Sequence, residues 1–266
     1  IKQAAVPVGG VVAGLLVPPC LVAFGWRGTL FVMALGVVAI AALVQPLRRE
    51  MDAARDPGFR VEARWFLSLD PLIRPFRFIA AAPGLWALTY CGFAFAMVQG
   101  SLIAFLVTYL ATDLALGLAL AGLAFAVMQA AGTFGRVGAG WTADRLRSNR
   151  AVLSGLAVSS ACTMFAVAMI GPGWSPAAIV AISAIAGLAS VSWNGIYLAE
   201  IARSAEDRIA EATAGSAFFT FVGYTAGPAL FAAVVRLSGS YSLAFALTAG
   251  VPLTALAVLL AGRRLR

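Results

Sequence analysis

The 266-residue chain has no histidine and only three cysteines, Cys20, Cys91 and Cys162, each isolated inside an apolar run. Those spacings exclude a metal centre built on imidazole or paired thiolates. The three thiols read as small buried hydrophobes. Charge is equally scarce. Asp, Glu, Lys and Arg make up 11% of the residues, where an ordinary globular domain carries roughly a quarter. Nothing charged lies between Asp113 and Arg136, or between Arg150 and Glu200. A membrane-embedded enzyme would need paired carboxylates, a His cluster or a Ser/Lys arrangement within its apolar runs, and no acid lies deep in any of them. A charged ring or carbonyl filter for a channel is missing, as is an ATP-binding motif.

Apolar residues dominate what is present. They make up 62% of the chain, with a mean hydropathy of +0.94, and they fall in charge-free stretches of span length. A helix needs roughly 20 such residues to cross about 30 Å of hydrocarbon. Counting between charges predicts eight spans, at about 4–24, 28–47, 85–110, 115–139, 151–171, 176–199, 213–235 and 241–262. The long run 151–199 is divided by Gly171-Pro172-Gly173-Trp174-Ser175-Pro176, which cannot continue a helix. The runs lack the period-2 alternation of barrel strands, so the fold class is an all-α integral membrane protein.

The net charge of +8 points to orientation rather than nucleic acid, because the basic residues lie between the apolar runs. With Lys2 on the cytoplasmic side, every lysine and arginine except Arg27 and Arg236 falls in a cytoplasmic segment, which predicts both ends cytoplasmic. The one long hydrophilic segment, 48–84, joins the second and third spans. Its second half interleaves Trp65, Phe66, Leu69, Leu72, Ile73, Phe76 and Phe78 with arginines, a mixture suited to the headgroup level; a disordered tether is the alternative. Gly10 with Gly14 and Gly223 with Gly227 are Gly-x-x-x-Gly pairs that let helix backbones approach closely.

Between the fourth and fifth spans stands Gly140-Trp141-Thr142-Ala143-Asp144-Arg145. This stretch resembles the Gly-x-x-x-Asp-Arg signature of the major facilitator superfamily, which joins the second and third helices of each six-helix half. The family pattern continues with a glycine where this chain has Arg147, so the match covers Gly140, Asp144 and Arg145. Ser192-Trp193-Asn194-Gly195-Ile196-Tyr197 and Gly227-Pro228 are similar to bacterial members. The resemblance implies that 1–47 are the last two helices of an N-terminal half, 48–84 a cytoplasmic central linker, and 85–266 the six-helix C-terminal half. Helices one to four would then be absent from this chain.

The resemblance further implies a secondary transporter moving a small solute by alternating access, in a bacterial inner membrane, as a monomer without cofactor. Its partners are the solute, the bilayer and, in some members, a coupling ion. A membrane-embedded enzyme or sensor is the competing class. Asp144, among arginines, suits a conformational latch with Gly140 and Arg145 at the cytoplasmic mouth; a solvated loop residue is the plain alternative. The third, fourth, sixth and seventh spans are expected to line the cavity. Candidate solute contacts are Gln99, Asn194, Tyr197, Thr220 and Tyr224, since a mid-span amide or hydroxyl needs a partner that lipid cannot supply. Ser183, Ser190, Asn194 and Tyr197 are expected to share one helical face.

Overall fold

A computed structural model describes residues 5–52, 70–205 and 207–261, without a strand among them. Seven helices among these residues are long and apolar enough to cross a membrane. The first is the stretch Val6–Leu47, 42 residues long. At 1.5 Å per residue it would measure about 63 Å, twice the hydrocarbon thickness. Helix α1 (Ala5–Val44) accordingly breaks at Gly25, whose φ of 65° and ψ of 179° are not helical. The two spans expected at 4–24 and 28–47 thus meet at one glycine rather than across a loop, because glycine alone reaches that conformation without a Cβ clash.

Two further expected spans are each built from two helices. After short helical turns at Gln45–Leu47 and Arg48–Met51 come α2 (Asp70–Ala81), α3 (Pro83–Thr108, extended by a π turn at Tyr109–Asp113), α4 (Leu118–Leu146), α5 (Asn149–Ala168), α6 (Pro176–Ser190), α7 (Asn194–Ser204), α8 (Ile209–Ser238), α9 (Tyr241–Thr248) and α10 (Gly250–Ala261). The run at 176–199 is α6 plus α7, with Val191, Ser192 and Trp193 outside both helices. The run at 241–262 is α9 plus α10, parted at Ala249.

Helix starts follow local chemistry. Pro83 and Pro176 open α3 and α6, where a missing N–H leaves nothing unsatisfied. The Oγ atoms of Ser148, Ser175 and Ser240 accept hydrogen bonds from the N–H groups of Ala151, Ala178 and Leu243, capping α5, α6 and α9. At the other end of α8, Gly239 closes the helix with a φ of 68°.

Close approach holds the bundle together. A Cβ on Gly223 or Gly227 of α8 would collide with the carbonyl oxygens of Phe93 and Met97 on α3. Gly14 of α1 rests on the backbone of Gly122 and Ala126 in α4. Gly14 and the α8 pair therefore serve as backbone contacts, while Gly10 packs on the side chain of Gln129. Beyond Gly25 the second segment of α1 is exposed along most of its length. One buried cluster gathers Phe95, Trp193 and Tyr197, and another gathers Tyr109, Phe231 and Phe245.

The hydrophilic connection yields α2, an amphipathic helix lying on α8. Its Phe76 meets Phe218 and Phe219 edge-on, its Ile79 is buried, and Arg77 stays exposed. Ile73, from the same apolar set, is exposed. Trp65, Phe66 and Leu69 lie outside the described residues.

Candidate functional site

The break between α6 and α7 lays open a buried polar cluster. Trp193, in the break, is wholly buried and stacks on Phe95 of α3 with ring centroids 5.6 Å apart. Its indole N–H donates to Oε1 of Gln99, at 2.9 Å. Tyr224 of α8 donates its hydroxyl to the same oxygen, also at 2.9 Å. An indole nitrogen can only donate, so the Gln99 acceptor oxygen has to face it. Three elements thus converge on one carboxamide that is 2% exposed.

Arg136 approaches the break from α4. Its Nε donates to the carbonyl oxygen of Val191 at 3.1 Å, while its Nη1 is buried without a hydrogen-bond partner. Tyr224 lies within electrostatic reach of the guanidinium. The orientation count placed Arg136 in a cytoplasmic loop. Instead α4 runs on to Leu146, which leaves Arg136 about 15 Å of helix axis short of that end. Gly132 and Gly135 allow this, since a Cβ on either would strike Val191 or Ser192.

The other sequence candidates are placed unequally. Asn194 is the first residue of α7, and its Oδ1 is buried without a partner. The buried Tyr197 hydroxyl also has no hydrogen bond. It lies beside Ser216 and Thr220, whose own hydroxyls are turned to the carbonyls of Thr213 and Ser216. Thr220 is therefore satisfied within α8. Ser183 bonds the carbonyl of Ile179, and Ser190 pairs with Ser160 of α5 at 2.8 Å. The face expected to be shared by Ser183, Ser190, Asn194 and Tyr197 does not form, because the helix is interrupted between Ser190 and Asn194. The apolar groove of about 410 Å³ beside Gly138 and Gly155 takes in none of these residues.

A second polar cluster closes the end of the bundle where α4 passes into α5. Glu200 of α7, 2% exposed, accepts from Arg150 Nε at 2.8 Å, Arg203 Nη2 at 2.5 Å and Asn149 Nδ2 at 3.3 Å. Burial makes this pair hard to break, since removing one partner strands the other charge. Sequence reasoning missed it: Glu200 reads as a span end, and Arg150 as one of several loop arginines. Asp144 lies in the last turn of α4, exposed; its backbone carbonyl accepts from the Arg147 N–H, and its carboxylate has no ion pair or hydrogen bond among the described residues. Arg145 lies over the Trp141 ring at 5.7 Å, and Gly140 borders open space.

Long apolar helices closed around a broken span and buried polar groups define a multi-pass integral membrane protein. The chain matches the family model of the Major Facilitator Superfamily over residues 1–217, and it belongs to that family. It is, in general terms, a membrane transporter. No curated protein matches it.

Proposed function

We propose that the protein is a secondary transporter or facilitator that moves a small solute by alternating access. The solute path runs along the face where α3, α4, the α6–α7 break and α8 meet, with Gln99, Asn194, Tyr197, Tyr224 and Arg136 turned toward it. The observation that carries this reading is the shared acceptor of Gln99, which binds α3, the break and α8 into one polar centre. Unpaired polar groups remain around it on Arg136, Asn194 and Tyr197. Such groups are expensive in a membrane unless a cavity or a solute satisfies them. Thr220 lies outside the contact set because its hydroxyl bonds only within its own helix, through the Ser216 carbonyl, whereas Gln99 and Tyr224 bond across elements.

In this reading both ends are cytoplasmic in a bacterial inner membrane, residues 48–84 form the linker between halves, and the protein acts as a monomer. The Glu200 cluster and the Gly140-Asp144-Arg145 signature lie at the cytoplasmic mouth. There Asp144 pairs in one conformation and is free in the other, as it is here. No observation favours a membrane-embedded enzyme or sensor.

The test is uptake by proteoliposomes of the full-length protein, challenged with a panel of sugars, amino acids and organic acids. Saturable uptake of one class is expected, reduced at least about tenfold by Gln99→Leu. Asp144→Asn should change the rate without changing insertion. A protein that moves no solute, or moves one equally well in Gln99→Leu, contradicts the reading.

A further inference from the structure

Arg136 is a membrane-embedded cation whose compensation is incomplete. Its Nε bond goes to a neutral carbonyl, that of Val191, and its Nη1 is buried without a partner. No carboxylate pairs with it among the described residues. Arg150 also has an unpartnered buried nitrogen, but its charge is answered by Glu200 at 2.8 Å. Arg136 has no such answer. A guanidinium in that state is unfavourable inside a membrane, and the usual remedy is an anion.

The surroundings supply the rest of an anion site. Helix α7 begins at Asn194, on the far side of the three-residue break whose first carbonyl Arg136 holds. The first N–H groups of any helix have no intrahelical partner, and the dipole there favours negative charge. Open space borders this start, since a Cβ on Gly195 would meet nothing within 4 Å. Asn194, at the same place, leaves its buried amide oxygen without a partner, and a half-turn of the amide presents its two N–H donors to an anion instead.

We propose that Arg136 and the start of α7 bind the carboxylate of a transported organic monoanion. The inference rests on the transport reading and names the substrate class of the same site. A single charge is favoured over a phosphate dianion because one guanidinium faces the break. The nearest arginines of the second cluster, Arg150 and Arg203, are committed to Glu200. The planar fork of arginine matches two carboxylate oxygens, and with Nε given to Val191 neither Nη1 nor Nη2 has a partner among the described residues.

Thermal unfolding of the full-length protein in micelles tests this without a transport assay. The probes are lactate and benzoate, with lactamide and benzamide as neutral counterparts of the same shape. A ligand that binds only the folded state raises Tm with concentration. The acids are expected to raise Tm and the amides not. Arg136→Gln should weaken the apparent affinity for the acids by about tenfold or more, while Arg236→Gln, exposed near the end of α8, should leave it unchanged. Should Arg136→Gln fail to fold, Gly195→Leu fills the space beside the α7 start and should give the same loss. Equal effects of acid and amide, no effect of either, or acid binding that survives in Arg136→Gln or Gly195→Leu would overturn the proposal. Stabilisation by phosphatidylglycerol in place of the acids would assign the site to a lipid and overturn it as well. Uptake of a neutral solute without any acid effect sinks this inference and leaves transport standing. Acid binding without any uptake does the reverse.

Discussion

Gln99 and Thr220 read alike in the sequence, as polar residues inside apolar runs, yet their environments separate them. Among the described residues, the Gln99 oxygen is the acceptor for both Trp193 Nε1 and the Tyr224 hydroxyl. Gln99→Leu keeps the volume and strands the buried Trp193 donor and the half-buried Tyr224 hydroxyl, which should destabilise the protein by about 1–3 kcal/mol. Thr220 bonds its own helix through the Ser216 carbonyl. Thr220→Val should therefore change stability by no more than about 1 kcal/mol and leave solute affinity unchanged. Unfolding of the two variants in the same micelles, with wild type alongside, measures both. Equal losses would show that Gln99 is no hub. Burial alone does not distinguish these residues; the identity of the bonding partner does.

At the scale of elements, the junction of α4 and α5 carries a local conflict. Arg147 closes α4 with a φ of 50°, in the left-handed region that glycine occupies most readily. The superfamily pattern has its glycine at this position, and the chain lacks it. A non-glycine residue there is disfavoured by about 1–2 kcal/mol. Arg147→Gly should relieve part of that, raising stability by about 0.5–1 kcal/mol after glycine's larger unfolded-state entropy is set against it. A lower Tm in Arg147→Gly would mean that the arginine side chain contributes more than its backbone strain removes.

Elements were also where the sequence was easiest to read. Charge-free runs placed the long helices, Gly171 to Pro176 marked a turn, and Gly14, Gly223 and Gly227 of the two Gly-x-x-x-Gly pairs are sites of backbone contact. The break at Val191, Ser192 and Trp193 was hidden, because none of the three is a glycine or proline and the run is apolar throughout. Arg136 was hidden for the opposite reason. An arginine among Gly132, Gly135, Gly138 and Gly140 looks like a loop, since glycine is a poor helix former. Packing against Val191 and Ser192 overrides that preference and keeps the segment helical. Likewise the pairing of Glu200 with Arg150 depends on α5 and α7 lying side by side, which no local pattern records.

For the whole molecule, alternating access requires the face around the α6–α7 break to open to one side of the membrane and then to the other. Gly195 borders open space at that break, so a cysteine fits there without displacing neighbours. With Cys20, Cys91 and Cys162 replaced by alanine, Gly195→Cys can be exposed to a membrane-impermeant thiol reagent from either face of oriented vesicles. Alternating access predicts modification from both sides, in proportions that shift when a transported solute is supplied on one side. The vesicles should stay sealed to ions throughout. Modification from one side only, whatever the solute gradient, would contradict the account.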